Sequence, residues 1–192
     1  MLAGQGFEKV YNVKGGMMAW EGPVAEGPVE LNMDLVKGDV TPGEIIRIAY
    51  GMEMSLGGFY RTMSQRVDQP EVVALLNNLA SIEEKHKEYL LDLYQAADLG
   101  EVDRAPFEAE VTASVMEGGF DSDEFIRNNE QFMQTVPGLL DISMMLETQA
   151  LDLYLRFAQK TEGDRTKEIL FKIGDEEKAH LAALGRLREE QT

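Results

Sequence analysis

From residue 41 onward the apolar positions recur three and four apart, the period of helices that bury one face. Thr41, Pro42, Gly43 and Glu44 make a start signal: a threonine N-cap, proline at the first helical position and a glutamate placed to close a capping box. A helix is predicted over 42–66. The run Asp68, Gln69, Pro70, Glu71 opens a second, to residue 97, stopped near Gly100. Pro137 opens a third long helix, to residue 160. Glu162, Gly163 and Asp164 break it, and Asp164 is placed to cap a fourth over 165–190. Residues 98–136 form a long connection with helical pieces at 106–117 and 122–134, separated by Gly118 and Gly119. Residues 1–31 read differently: a short strand at 10–13, a Gly15-Gly16 turn, a helical turn at 17–20, then loops punctuated by Gly22-Pro23 and Gly27-Pro28. So short a segment cannot bury a core of its own. The expected organisation is therefore a small N-terminal piece over 1–31, a linker over 32–41 and an all-α bundle over 42–192.

Short turns within each helix pair and one long crossover between the pairs give two antiparallel hairpins, the connectivity of a ferritin-like four-helix bundle. The pairs also repeat. Shifting the chain by 94 residues lays Glu53 on Glu147, Glu83 on Glu177, His86 on His180, Tyr60 on Tyr154 and Gln65 on Gln159. Apolar positions follow: Met52 falls on Leu146, Leu76 on Leu170, Leu79 on Ile173 and Leu90 on Leu184. The second half reads as a diverged copy of the first.

Each half carries a lone glutamate on its first helix and Glu-x-x-His on its second, which puts both residues of the pair on one face. Glu53 sits among Ile46, Ala49, Leu56 and Tyr60, and Glu147 among Leu140, Met144, Ala150, Leu151 and Tyr154. Glu83 sits among Leu76, Leu79, Ala80 and Leu90, and Glu177 among Leu170, Ile173, Leu181 and Leu184. All four glutamates thus lie inside apolar stripes. Burying an unpaired charge costs several kcal/mol even after relaxation. The nearest cation, Lys87, is expected to snorkel outward. Two divalent cations balance four carboxylates, and His86 and His180 complete the shell. Such an oxygen-rich, nitrogen-poor set suits iron or manganese better than structural zinc. Glu84 and Glu176, next to ligands in sequence, point about 100° away on a helix and are left out. Tyr60 and Tyr154 read first as core tyrosines, and the 11 methionines as core filler.

Composition narrows the function classes. Eighteen Lys and Arg against 35 Asp and Glu leave a net charge of −17, which opposes binding to nucleic acid and to anionic membranes. There is no cysteine, so disulfides, cysteine-ligated iron centres and cysteine nucleophiles are excluded for this chain. No apolar run reaches the length of a membrane span, and no signal pattern opens the chain, so the expected location is the cytoplasm.

With these six residues in hairpin–crossover–hairpin order, residues 42–192 resemble the ferritin-like superfamily, and within it the rubrerythrin-like di-iron proteins. The resemblance implies two iron ions, often bridged by oxygen, that react with hydrogen peroxide or dioxygen. It makes Glu53 and Glu147 ligands from the first helices, Glu83 and Glu177 bridging carboxylates, and His86 and His180 terminal ligands. It implies a peroxide reductase acting as a homodimer. Rubrerythrins typically carry a further carboxylate one turn after the lone glutamate of the third helix, where this chain has Ala150. They usually carry a cysteine-rich rubredoxin module, so electrons here are expected from an external donor such as a rubredoxin-like protein. The ligand set is also similar to that of bacterioferritins, which oxidise and store iron, and more loosely to that of manganese catalases. Residues 2–20, from Leu2-Ala3-Gly4 to Trp20, look like the C-terminal end of a rhodanese domain. That family's catalytic cysteine loop would precede the segment, so no sulfurtransferase activity is expected, and a fusion lacking its N-terminal part is the expected origin.

Overall fold

The computed structural model describes Val36, residues 38–111, 115–116 and 120–191. The expected strand, turns and rhodanese-like remnant over 1–31, and half of the linker, lie outside the described residues.

Six α-helices and no strands make up the described residues: α1 (Pro42–Ser64), α2 (Pro70–Ala96), α3 (Arg104–Glu110), α4 (Ser122–Asn129), α5 (Val136–Lys160) and α6 (Asp164–Glu189), with a 3-10 turn at Glu130–Gln134 between α4 and α5. α1 starts as its sequence predicts. The Thr41 hydroxyl accepts from the Glu44 backbone N–H, and the Glu44 carboxylate accepts from the Thr41 N–H at 2.8 Å. α2 stops where Asp98 and Gly100 adopt left-handed backbone, with φ of 49° and 120°. α5 begins one residue before Pro137 because the Thr135 side chain caps it, accepting from the Gly138 N–H at 3.2 Å. α6 is preceded by Gly163 rather than capped by Asp164. Asp164 lies in the first turn, where its charge favours the positive end of the helix dipole.

The crossover differs most from expectation. Its first helix ends at Glu110 instead of 117. Its second converts to the 3-10 turn after Asn129, whose side-chain amide donates to the Phe125 carbonyl and so competes for a helical acceptor. That turn lies directly against α5: a Cβ at Gly138 would collide with the Phe132 carbonyl oxygen.

Within the bundle α1 packs on α2 and α5 on α6, while α1 also meets α6 and α2 meets α5. The core falls into two apolar clusters. One holds Leu56, Phe59 and Tyr60 of α1, Leu76 and Leu79 of α2, Leu140 and Leu146 of α5 and Leu184 of α6. The other holds Ile46 and Ala49 of α1, Leu90 of α2, Ala150, Leu153 and Tyr154 of α5 and Leu170 and Ile173 of α6. On every long helix the glutamate singled out above falls between the two. α1 and α6 run from the second cluster to the first, and α2 and α5 run the opposite way. The hairpins are therefore antiparallel, and α2 and α5 are parallel, which obliges the crossover to return along the length of the bundle. This is the all-α, ferritin-like arrangement expected from the sequence.

Leu76 is fully buried in the first cluster. Leu76→Ala should remove about 2–5 kcal/mol of stability, through lost transfer energy and the cavity left behind. Thr41→Ala, at a solvent-exposed cap, should remove about 1 kcal/mol. Urea denaturation followed by circular dichroism reads both, and equal losses would contradict this view of the core.

Candidate metal centre

The polar layer between the two clusters is built from Glu53 on α1, Glu83 and His86 on α2, Glu147 on α5, and Glu177 and His180 on α6. The four glutamates are 3%, 1%, 4% and 1% exposed. The imidazoles face outward more, with side chains 11% and 16% exposed. Two groups result, Glu53–Glu83–His86 and Glu147–Glu177–His180, and in each the ligand atoms lie within 4.8 Å of one another. His86 Nδ1 is 2.7 Å from Glu83 Oε2 and 3.4 Å from Glu53 Oε2. His180 Nδ1 is 3.4 Å from Glu177 Oε2 and 3.5 Å from Glu147 Oε2. The two imidazole rings stack, centroids 3.6 Å apart and planes 9° from parallel, and so join the two halves into one cluster. α1 closes on α2 at this level because position 57 is glycine: a Cβ there would sit 3.3 Å from the Glu83 Cβ.

The expected behaviour of Lys87 is corrected by the structure. Its side chain does not reach solvent but is buried at 4% exposure. Nor does it neutralise the cluster: its Nζ lies 3.0 Å from Glu84 and 3.9 Å from Glu108, over the Tyr50 ring. The crossover completes this second polar network. Arg104 bridges Glu84 at 2.6 Å and Glu108 at 3.0 Å, and the Tyr50 hydroxyl donates to Glu108 at 2.6 Å. Periodicity could not reveal it, because Arg104 and Glu108 come from a different helix. Glu84 belongs there and stays out of the cluster, as expected. Glu176, also set aside, lines with Tyr89 a cavity of about 20 Å³ that touches Glu53, His86, Glu177 and His180.

Electrostatics show the strain of the polar layer. Burial, and then the neighbouring carboxylates, push Glu83 and Glu177 well above the usual carboxyl range. Burial would also raise Glu53, but His86 outweighs it and holds Glu53 below its ordinary value. Burial opposes charge on His86, and Glu53 and Glu83 overcome it, raising that imidazole to about 10. One oxygen each of Glu147 and Glu177, together with Nδ1 of His180, is buried without a hydrogen-bond partner; Glu83 Oε2 has only its ion-pair contact with His86. Unsatisfied buried polar atoms are rare and costly. Four carboxylates and two imidazoles with unfilled lone pairs fit a pair of divalent cations in donor type and in charge.

Tyr60 and Tyr154 are fully buried, one in each apolar cluster. Tyr154 donates to the Met52 sulfur at 3.8 Å, beside Glu53 in sequence. Ser143 was not singled out by its sequence. It is fully buried one turn before Glu147, and its hydroxyl has no hydrogen-bond partner. The only sequence signal was a polar residue inside the apolar stripe of Leu139, Leu140, Ile142 and Leu146.

The rubrerythrin family model matches residues 44–188, the stretch that contains all six cluster residues. No curated protein and no solved structure matches the chain.

Without bound cations the polar layer should make stability fall with pH above about pH 6, since the lowered Glu53 acts in the opposite sense only below its ordinary value of 4.5. His86 and Glu83 both bind protons more tightly folded than unfolded, so folding is favoured at low pH and disfavoured as pH rises. For His86 the contribution is complete below the unfolded value of 6.5 and is lost as pH climbs to about 10. Thermal melts of chelator-treated protein should show a lower Tm at pH 9 than at pH 6, with the difference reduced by added divalent cation. An unchanged or higher Tm at pH 9 would contradict this electrostatic reading.

Proposed function

The chain belongs to the rubrerythrin family, and on that premise we propose that it is a non-haem di-iron oxidoreductase that reduces hydrogen peroxide to water. The observation that carries the reading is the layer of four buried carboxylates and two imidazoles, with donor atoms left unsatisfied, between two apolar clusters. Glu53 and Glu147 would each hold one iron, Glu83 and Glu177 would lie between the two, and His86 and His180 would supply one nitrogen each. The iron pair, when bound, supplies the two electrons that convert one hydrogen peroxide and two protons into two waters.

The chain's own residues set the conditions for that chemistry. Leu56, Leu79 and Leu146 on one side and Ala49, Leu90 and Ile173 on the other exclude bulk water from the layer. The cavity beside Glu53 and Glu177 takes a molecule about the size of a water, which favours a small oxidant such as hydrogen peroxide or dioxygen. Ala150, fully buried one turn after Glu147, leaves four carboxylates rather than five, which disfavours ligand exchange by an extra glutamate during the redox cycle. With no cysteine in the chain, electrons come from a separate donor of rubredoxin type.

Stopped-flow oxidation of the iron-loaded, reduced protein tests the proposal. One hydrogen peroxide should oxidise one iron pair, far faster than dioxygen at the same concentration. Glu177→Ala should lower the peroxide rate at least 100-fold. Reoxidation no faster than that of free ferrous iron, or a growing ferric mineral core, would reject peroxide reduction and favour iron storage.

A further inference from the structure

The duplication that built the centre also shows where its halves have diverged. In the first half the ligand atoms close on one another: His86 Nδ1 lies 2.7 Å from Glu83 Oε2, its 3.4 Å contact with Glu53 is a hydrogen bond, and Glu83 Oε2 alone is left without a hydrogen bond. In the second half the corresponding distances are 3.4 and 3.5 Å, and Glu147 Oε2, Glu177 Oε2 and His180 Nδ1 have no hydrogen-bond partner. Ser143 adds a fourth buried, unsatisfied atom one turn before Glu147, where the first half has Ala49.

The surroundings differ in the same sense. The ligand pair of α2 is backed by the buried ammonium of Lys87, tied through Glu84 and Glu108 to Arg104 of the crossover. At the 94-residue offset Lys87 becomes Leu181, Glu84 becomes Lys178 and Tyr50 becomes Met144. Among the described residues the second half thus lacks the buried cation and the tie to the crossover.

We propose that the two halves of the centre bind cations unequally: the half built on Glu147, Glu177 and His180 takes the first divalent ion, and the half built on Glu53, Glu83 and His86 the second. The proposal rests on reading the cluster as dinuclear. An ion entering the second half displaces only the two long His180 contacts, neither of them a hydrogen bond, and satisfies atoms that burial has already stripped of water. Entering the first half, it must break the shorter His86–Glu83 contact and the His86–Glu53 hydrogen bond, on a helix that carries the buried Lys87 charge one turn after Glu83. The crossover tie holds α2 in place, so those contacts are not relieved by helix movement.

Titrating metal-free protein with cobalt(II), followed by calorimetry and by visible absorption, tests this without any turnover. Two steps are expected, the first at least tenfold tighter. Glu147→Ala should abolish the tight step and keep the weak one, and Glu53→Ala should do the reverse. Helix content and melting temperature check that each variant is folded, and the isosteric Glu147→Gln and Glu53→Gln replace any that is not. Lys87→Leu, which installs the second half's residue, should bring the two affinities within threefold. Two equal steps, or a tight step lost in Glu53→Ala and kept in Glu147→Ala, would overturn the proposal. An undiminished gap in Lys87→Leu would overturn the role given to the buried ammonium. Failure of the unaltered protein to bind two cobalt ions would instead refute the dinuclear reading itself.

Discussion

Four carboxylates held in one layer of an apolar bundle repel one another and have lost their water, and every other feature of the centre answers to that constraint. Glu53, Glu83, Glu147 and Glu177 are each at most 4% exposed. Their nearest buried cation, Lys87, is committed to Glu84 and Glu108. Within the layer His86 offers the closer relief, on Glu83 and Glu53, and His180 a looser one on Glu177 and Glu147. A buried charge left uncompensated is among the most destabilising features a protein can carry. Two divalent cations would remove the repulsion and fill the unsatisfied donor atoms together, which would link metal binding to folding.

Helix direction gathers the two Glu/His groups into one layer. Because α2 and α5 run parallel while each hairpin is antiparallel, one turn near the middle of every long helix arrives at the same height. The glutamates therefore separate two apolar clusters instead of scattering through one. The stacked imidazoles of His86 and His180 sit on the more open side of the layer, next to the small cavity lined by Tyr89 and Glu176. Rigid apolar packing above and below, with a narrow opening on one side, is what a site needs to admit a small oxidant while excluding bulk water.

Much of this was legible in the chain. The helical period and the Thr41–Glu44 capping box predicted α1, the 94-residue offset brought the six cluster residues together, and their apolar neighbours implied that they face inward. The misses have a common physical origin. Lys87 was expected to snorkel; it is held instead by Glu84 of its own helix, and the wall that buries it, with Glu108 and Arg104, comes from α3, which the period of α2 does not reveal. Ser143 is a single polar residue in an apolar stripe, and only burial distinguishes it from a serine at the edge. The second crossover helix ended earlier than the period suggests because the Asn129 amide competes for the Phe125 carbonyl. Gly163 rather than Asp164 precedes α6, a one-residue difference that periodicity does not resolve. The rhodanese-like reading of residues 1–31 concerns a segment outside the described residues.

The most direct measurement is anomalous diffraction at the iron edge from crystals of protein grown with iron, paired with elemental analysis. Two iron peaks per chain should lie in the polar layer, both within coordination reach of the carboxylates of Glu83 and Glu177, with His86 and His180 each beside one of them. A single peak, none, or peaks outside the six-residue cluster would contradict the claim that two cations balance the four buried carboxylates.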